Sequence, residues 1–119
     1  MIDRIRLERS FLGFPLSVWV CSADSDLLIA VTGGCHPHIG SVSGAYWENS
    51  SVRCETSVGV GHRDDVVSRR FAEALARTFQ CNVSVSCGIH YDALSRKDLD
   101  RLLAELDTLL EELIAHLSA

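Results

Sequence analysis

The stretch "RRFAEALARTFQCNVSVSCGIHYD", residues 69–92, decides the fold, because its hydrophobic period changes midway. With the "DDVVS" before it, the first part places Val67, Phe71, Ala74, Leu75 and Phe79 on one helical stripe. Asp64 or Asp65 suits the start of that helix, and Arg69–Glu73 and Glu73–Arg77 form pairs four residues apart on its outer side. The second part alternates. Val83, Val85, Cys87 and Ile89 face a core, and Asn82, Ser84, Ser86 and His90 share the other face of a strand.

Upstream, the chain reads as strands. "IRLERSF" sets Ile5, Leu7 and Arg9 in one phase, and "PLSVWVCS" alternates Leu16, Val18 and Val20 with Ser17, Trp19 and Cys21, which predicts that both of its faces are at least partly covered. "SADSD" is a turn, "LLIAV" a short central strand, and "IGSVSGAYW" and "SVRCETSVG" a hairpin joined through "ENSS". Downstream, Ser95 caps a second helix with Asp98 at the capping-box position, and leucines 99, 102, 103, 106, 109, 110, 113 and 117 form a wide apolar stripe. Strands first and helices later predict an α+β domain. Its sheet is mainly antiparallel, of about five to six strands, with helices over about 65–79 and 96–117 packed on one face. No linker or repeat divides residues 1–119, so one domain is expected.

The totals narrow the function. Net charge is −5 and no basic patch stands out beyond Arg69 and Arg70, which argues against nucleic acid as a partner. Five cysteines at 21, 35, 54, 81 and 87 contain no CxxC pair, a pattern that suits reduced thiols in a cytoplasm better than a disulfide framework or a zinc ribbon. The opening "MIDRIRLERS" lacks the apolar core of a signal peptide, and no apolar run is long enough to cross a membrane.

Three polar clusters fall at element ends, each pairing a glycine with a histidine. They are "GGCHPHIG" (33–40), "GVGHRDD" (59–65) and "SCGIHYD" (86–92). Loops at the ends of a rigid sheet are where sites are built. One reading is a metal site on His38, His62 and His90, with Cys35, His36 or Asp64 as a further ligand. No zinc-protease or finger spacing supports it, and each histidine is equally explained as a turn residue bonded to backbone. A Cys35–His36 nucleophile pair is disfavoured, since adjacent residues on an extended chain point apart. An anion at the start of the first helix would find free N–H groups, with Arg63, Ser68 and Arg70 nearby, but Asp64 and Asp65 oppose it.

Taken together, "CHPHIGSV", "GHRDDVVSRRFAEALA" and "SCGIHYDAL" resemble the prenylated-flavin chaperones, the small accessory proteins that accompany gallate-type decarboxylases of the UbiD type. The resemblance runs from about Gly33 to Leu94, in order and with similar intervals. It implies a non-catalytic protein that binds reduced prenylated FMN as cargo and passes it to an apo-decarboxylase. The residues matching the pattern are His38, Ile39, Gly40, His62, Arg63, Asp64, Ser68, Arg70, Gly88 and His90. Within that set Arg63, Arg70 and Ser68 suit the phosphate, and the histidines and Gly40 suit the polar edges of the ring system or a divalent metal bridging to the phosphate. Cys35 and His36 receive no role from the resemblance.

Two other functions stay open at this stage. One is a small metal-binding protein or metalloenzyme using His38, His62 and His90. The other is a structural subunit whose leucine-rich helix docks a partner. That helix carries more leucines than one sheet face readily covers, which predicts a homodimer or higher oligomer.

Overall fold

The computed structural model describes residues 4–59 and 64–119. The elements run β1 (Arg4–Phe11), β2 (Phe14–Ala23), β3 (Asp26–Gly34), β4 (Ser41–Glu48), β5 (Ser51–Val58), α1 (Asp65–Phe79), β6 (Val83–His90) and α2 (Arg96–Ser118). The six strands form one sheet in the order β1-β2-β3-β6-β4-β5. Every neighbouring pair is antiparallel except β3 and β6, which run parallel with Leu27 opposite Val83 and Gly34 opposite His90. This is the expected α+β fold, with both helices where the periodicity put them.

Tight turns hold the register. Asn49 and Ser50, the two residues between β4 and β5, both have positive φ, at 52° and 64°. That is the backbone of a two-residue hairpin turn whose twist matches the strands. β6 enters the middle of the sheet because a helix carries the chain across. α1 packs on β4, β5 and β6, so its crossover inserts β6 beside β3.

The core lies between one sheet face and the helices. Leu16, Val18, Val20, Leu27, Ile29, Val31, Val83, Val85 and Cys87 supply the sheet side, and Phe71, Leu75, Leu109 and Leu113 are among the helix residues that cover them. Arg9 sits in the core phase of β1 and bonds Glu105 at 2.5 Å and Glu112 at 2.9 Å, tying the sheet edge to α2. On α1 the buried stripe is Ser68, Phe71, Ala72, Leu75 and Ala76, one step from the expected centre. Val67, Ala74 and Phe79 flank it, partly buried.

One expectation is refined and one revised. The far face of β2 is not fully covered within the chain: Ser17 is buried there, but Trp19 is 48% exposed, with Leu28, Val42 and Tyr46 also exposed on that side. The guanidinium of Arg6 lies over the Trp19 ring, 4.4 Å from its centroid. Nor does α2 hold an outer row of leucines. Leu102, Leu106, Leu109, Leu110, Leu113 and Leu117 are buried against the chain's own core, which leaves Leu99 and Leu103 exposed. The unspent apolar surface is therefore on the open face of the sheet.

Candidate ligand site at the ends of β3 and β6

The parallel pair β3 and β6 finish side by side, and the 35–40 loop crosses over their ends to reach β4. Its path is pinned by backbone bonds. The Cys35 N–H donates to the His90 carbonyl at 2.8 Å, and the Gly40 N–H donates to the Cys87 carbonyl at 2.8 Å. The crossing is close enough to demand glycine. A Cβ on Gly88 would lie 1.7 Å from the His38 carbonyl oxygen. At Gly34, φ is +85° and a Cβ would lie 1.9 Å from the His90 carbonyl oxygen. These glycines let two backbones pass in contact, which places the 35–40 loop directly on the end of β6.

α1 starts at the same point. Asp64 occupies its N-cap position, but its side chain makes no capping bond. The nearly buried carboxylate instead accepts the Ile89 N–H at 3.1 Å and faces His38 Nε2 at 3.3 Å. His38 Nδ1 lies 2.9 Å from the His36 carbonyl oxygen. The Asp64 carboxylate thus joins the β3–β4 loop, the start of α1 and the end of β6. A Cβ on Gly40 would strike this carboxylate at 2.0 Å, so the space beside the loop backbone is already filled by Asp64.

On the outer side, His90 Nε2 lies 2.9 Å from Asp92 Oδ1. That hydrogen bond is the largest cause holding the Asp92 carboxyl below the usual carboxylate range, with the charges of His90 and His36 acting in the same direction. The Cys35 thiol donates to the His90 carbonyl at 3.4 Å, and the His36 ring lies 5.6 Å from the His90 ring.

Beside this junction an apolar groove of about 450 Å³ opens between the first turns of α1 and α2. Asp64 and His90 are among its polar lining residues, and Val67, Ile89, Leu99 and Leu103 are among its apolar walls. Its size and its mix of many apolar walls with few polar groups suit a small organic ligand. It continues past Val66 and Leu103 to Arg70, whose guanidinium bonds Asp107 of α2 at 2.6 Å.

Of the ten expected site residues, six gather here. His38, Ile39, Gly40, Asp64, Gly88 and His90 meet at the junction, and Ile39 projects from it, 70% exposed. His62 and Arg63 lie outside the described residues. Ser68 and Arg70 do not meet, because positions two apart on a helix point to opposite sides. The Ser68 hydroxyl is fully buried, bonded at 2.8 Å to both Ser41 and Ser43, so the expectation that it presents itself to a phosphate gives way to a role tying α1 to β4. Arg70 stands at the far end of the groove. The three-histidine metal reading falls partly outside the described residues, with His62; of its other two members, His38 faces Asp64 and His90 faces Asp92.

Asp92, Asp107 and the place of Leu99 and Leu103 in the groove are not among the expectations from sequence. "HYD" after a strand carries a weak signal for a His–Asp pair, but nothing local separates Leu99 and Leu103 from the six buried leucines of α2.

Comparison with known proteins places the chain in a family. A family model described as a prenylated flavin chaperone LpdD-like domain matches residues 10–118. Protein LpdD of Lactiplantibacillus plantarum is 31% identical over 96 residues, covering 79% of this chain and 71% of its own. Among solved structures, a chain from a novel chaperone complex for yeast 20S proteasome assembly superposes with a TM-score of 0.60. It covers 94% of this chain and 96% of that one at 13% identity, a likeness of fold alone. The family match spans nearly the whole chain and includes every element that builds the junction, so the chain belongs to the prenylated flavin chaperone LpdD-like family.

Proposed function

We propose that this chain, as a single domain, binds reduced prenylated FMN as cargo and delivers it to an apo-decarboxylase of the UbiD type, in the cytoplasm. Its family is one of chaperones, and no chemistry of its own is needed for that task. The observation that carries the reading is the junction itself. A loop, a helix start and a strand end are locked together by close glycine crossings and a nearly buried carboxylate, directly beside an apolar groove of ligand size. The ring system and its added prenyl-derived ring would lie against Val67, Ile89, Leu99 and Leu103, with His38, Asp64 and His90 at the polar edge. Arg70, at the far end of the groove, would leave Asp107 for the phosphate, alongside Arg63. Ser68 is not part of this set.

Co-expression with a flavin prenyltransferase tests the reading. The purified chain should carry prenylated FMN by mass, and mixing it anaerobically with apo-decarboxylase should restore decarboxylation. A chain that emerges without flavin, or loaded chain that fails to activate the enzyme, would reject it. Arg70→Ala should weaken binding by roughly 1.5–3 kcal/mol, the scale of a charge-assisted contact.

The same proposal includes a homodimer. Trp19, Leu28, Val42 and Tyr46 stand exposed on the open sheet face, with Ser84 and Ser86 of β6 between the first two and the last two, a more suitable contact than α2. Sedimentation as a clean monomer at micromolar concentration would remove this part.

A further inference from the structure

We propose that Cys35, His90 and Asp92 form a binding site for one zinc-class divalent ion. One ligand atom from each lies within 4.8 Å of the other two. A tetrahedral ion at ~2.0–2.3 Å from its ligands sets those atoms about 3.3–3.8 Å apart, so closure needs shifts of about 1 Å. The side chains can make them, since Cys35 is only partly buried and His90 and Asp92 are exposed.

The scaffold supplies the precision. Gly34 and His90 are register partners at the ends of paired strands, and the Cys35 N–H donates to the His90 carbonyl. The backbones of two ligands are therefore fixed to each other before any ion arrives. Asp92 follows by two residues and already shares a hydrogen bond with the His90 ring at 2.9 Å. The ion would replace the proton they share.

The donor set selects the metal. A thiolate, an imidazole and a carboxylate together suit a borderline ion such as zinc, and calcium and magnesium prefer oxygen alone. Three protein ligands leave a fourth position for water. The exposed His36 ring lies beside that of His90, 5.6 Å between centroids.

This site shares His90 with the proposed flavin site but neither His38 nor Asp64, and its test needs no flavin. The chain, stripped with a chelator, is titrated with zinc against a chromophoric competitor and with cobalt(II) by absorbance. One ion per chain is expected, with a thiolate-to-cobalt charge-transfer band in the near ultraviolet. Cys35→Ser should abolish the band, and both Cys35→Ser and Asp92→Asn should weaken zinc binding by roughly tenfold or more. Asp92 lies outside the core, so Asp92→Asn keeps the test valid if the cysteine variant fails to fold. Cys21→Ser, on the open sheet face, should keep both the band and the affinity. The proposal is overturned by cobalt binding without the band, by unchanged zinc affinity in Asp92→Asn, or by a band that survives Cys35→Ser. Flavin binding could still hold in each of those cases.

Discussion

The two helices begin in different ways. α2 starts conventionally, with the Ser95 hydroxyl accepting the Asp98 N–H at 3.0 Å and satisfying one free donor of the first turn. α1 starts at Asp64, a residue equally able to cap, yet its carboxylate turns away to the Ile89 N–H and to His38. One helix start is built for local stability. The other gives up a cap to join three segments around a groove. A residue that forgoes the locally best bond for a longer-range one marks where the fold serves something beyond itself.

Substitutions at four positions break or sharpen this contrast. The largest effect is expected at the crossing that brings the segments together. Gly88→Ala sets a Cβ against the His38 carbonyl and should cost about 3 kcal/mol, read as a fall in the urea midpoint. Next is Asp64. Serine is as good a cap as aspartate, so a capping role predicts that Asp64→Ser is silent. The bridging role predicts instead a loss of roughly 2 kcal/mol, because the partly buried Ile89 N–H loses its acceptor. Equal stability of Asp64→Ser and the parent chain would erase the difference between the two helix starts.

At α2 the same logic reverses. Ser95→Asp should be nearly silent, and Ser95→Ala should cost about 1 kcal/mol, with no change in ligand binding. The smallest effect concerns Asp92. Its folded carboxyl titrates below its unfolded value because of His90. The stability it contributes is therefore present above the unfolded value and lost as pH falls through the folded one. An NMR titration should show that low midpoint in the parent chain and its return upward in His90→Ala. Identical midpoints would detach His90 from Asp92.

Much of this architecture was legible because it is written in local period. The change from helical to alternating spacing near Gln80 placed both α1 and β6, and the Ser95 cap placed α2. The β3–β6 pairing was not legible. It depends on a crossover that puts β6 between β3 and β4, and no neighbouring residue encodes that choice. The same limit explains the errors of detail. Ser68 looks like a polar helix residue free to bind phosphate, but the rotation of α1 aims it at Ser41 and Ser43. Leu99 and Leu103 look like their six buried neighbours until the start of α2 is seen to overhang a groove. His38, Asp64 and His90 could be singled out because each sits beside a glycine or a helix start. Their partners could not, since His38 finds Asp64 only through the folded junction.

The measurement that bears most directly on the junction as a ligand site is an anaerobic calorimetric titration of reduced prenylated FMN. It would be run on the parent chain, His38→Ala, His90→Ala and the double variant. The proposed reading has the two side chains serve one pocket, so each single change should weaken binding, and the double change should cost less than the sum of the two. Thermal melting should shift far less than affinity, since neither histidine carries the core. Full affinity in all three variants, or lost affinity that tracks a collapse in melting temperature, would contradict the account and make the histidines supports of the turns.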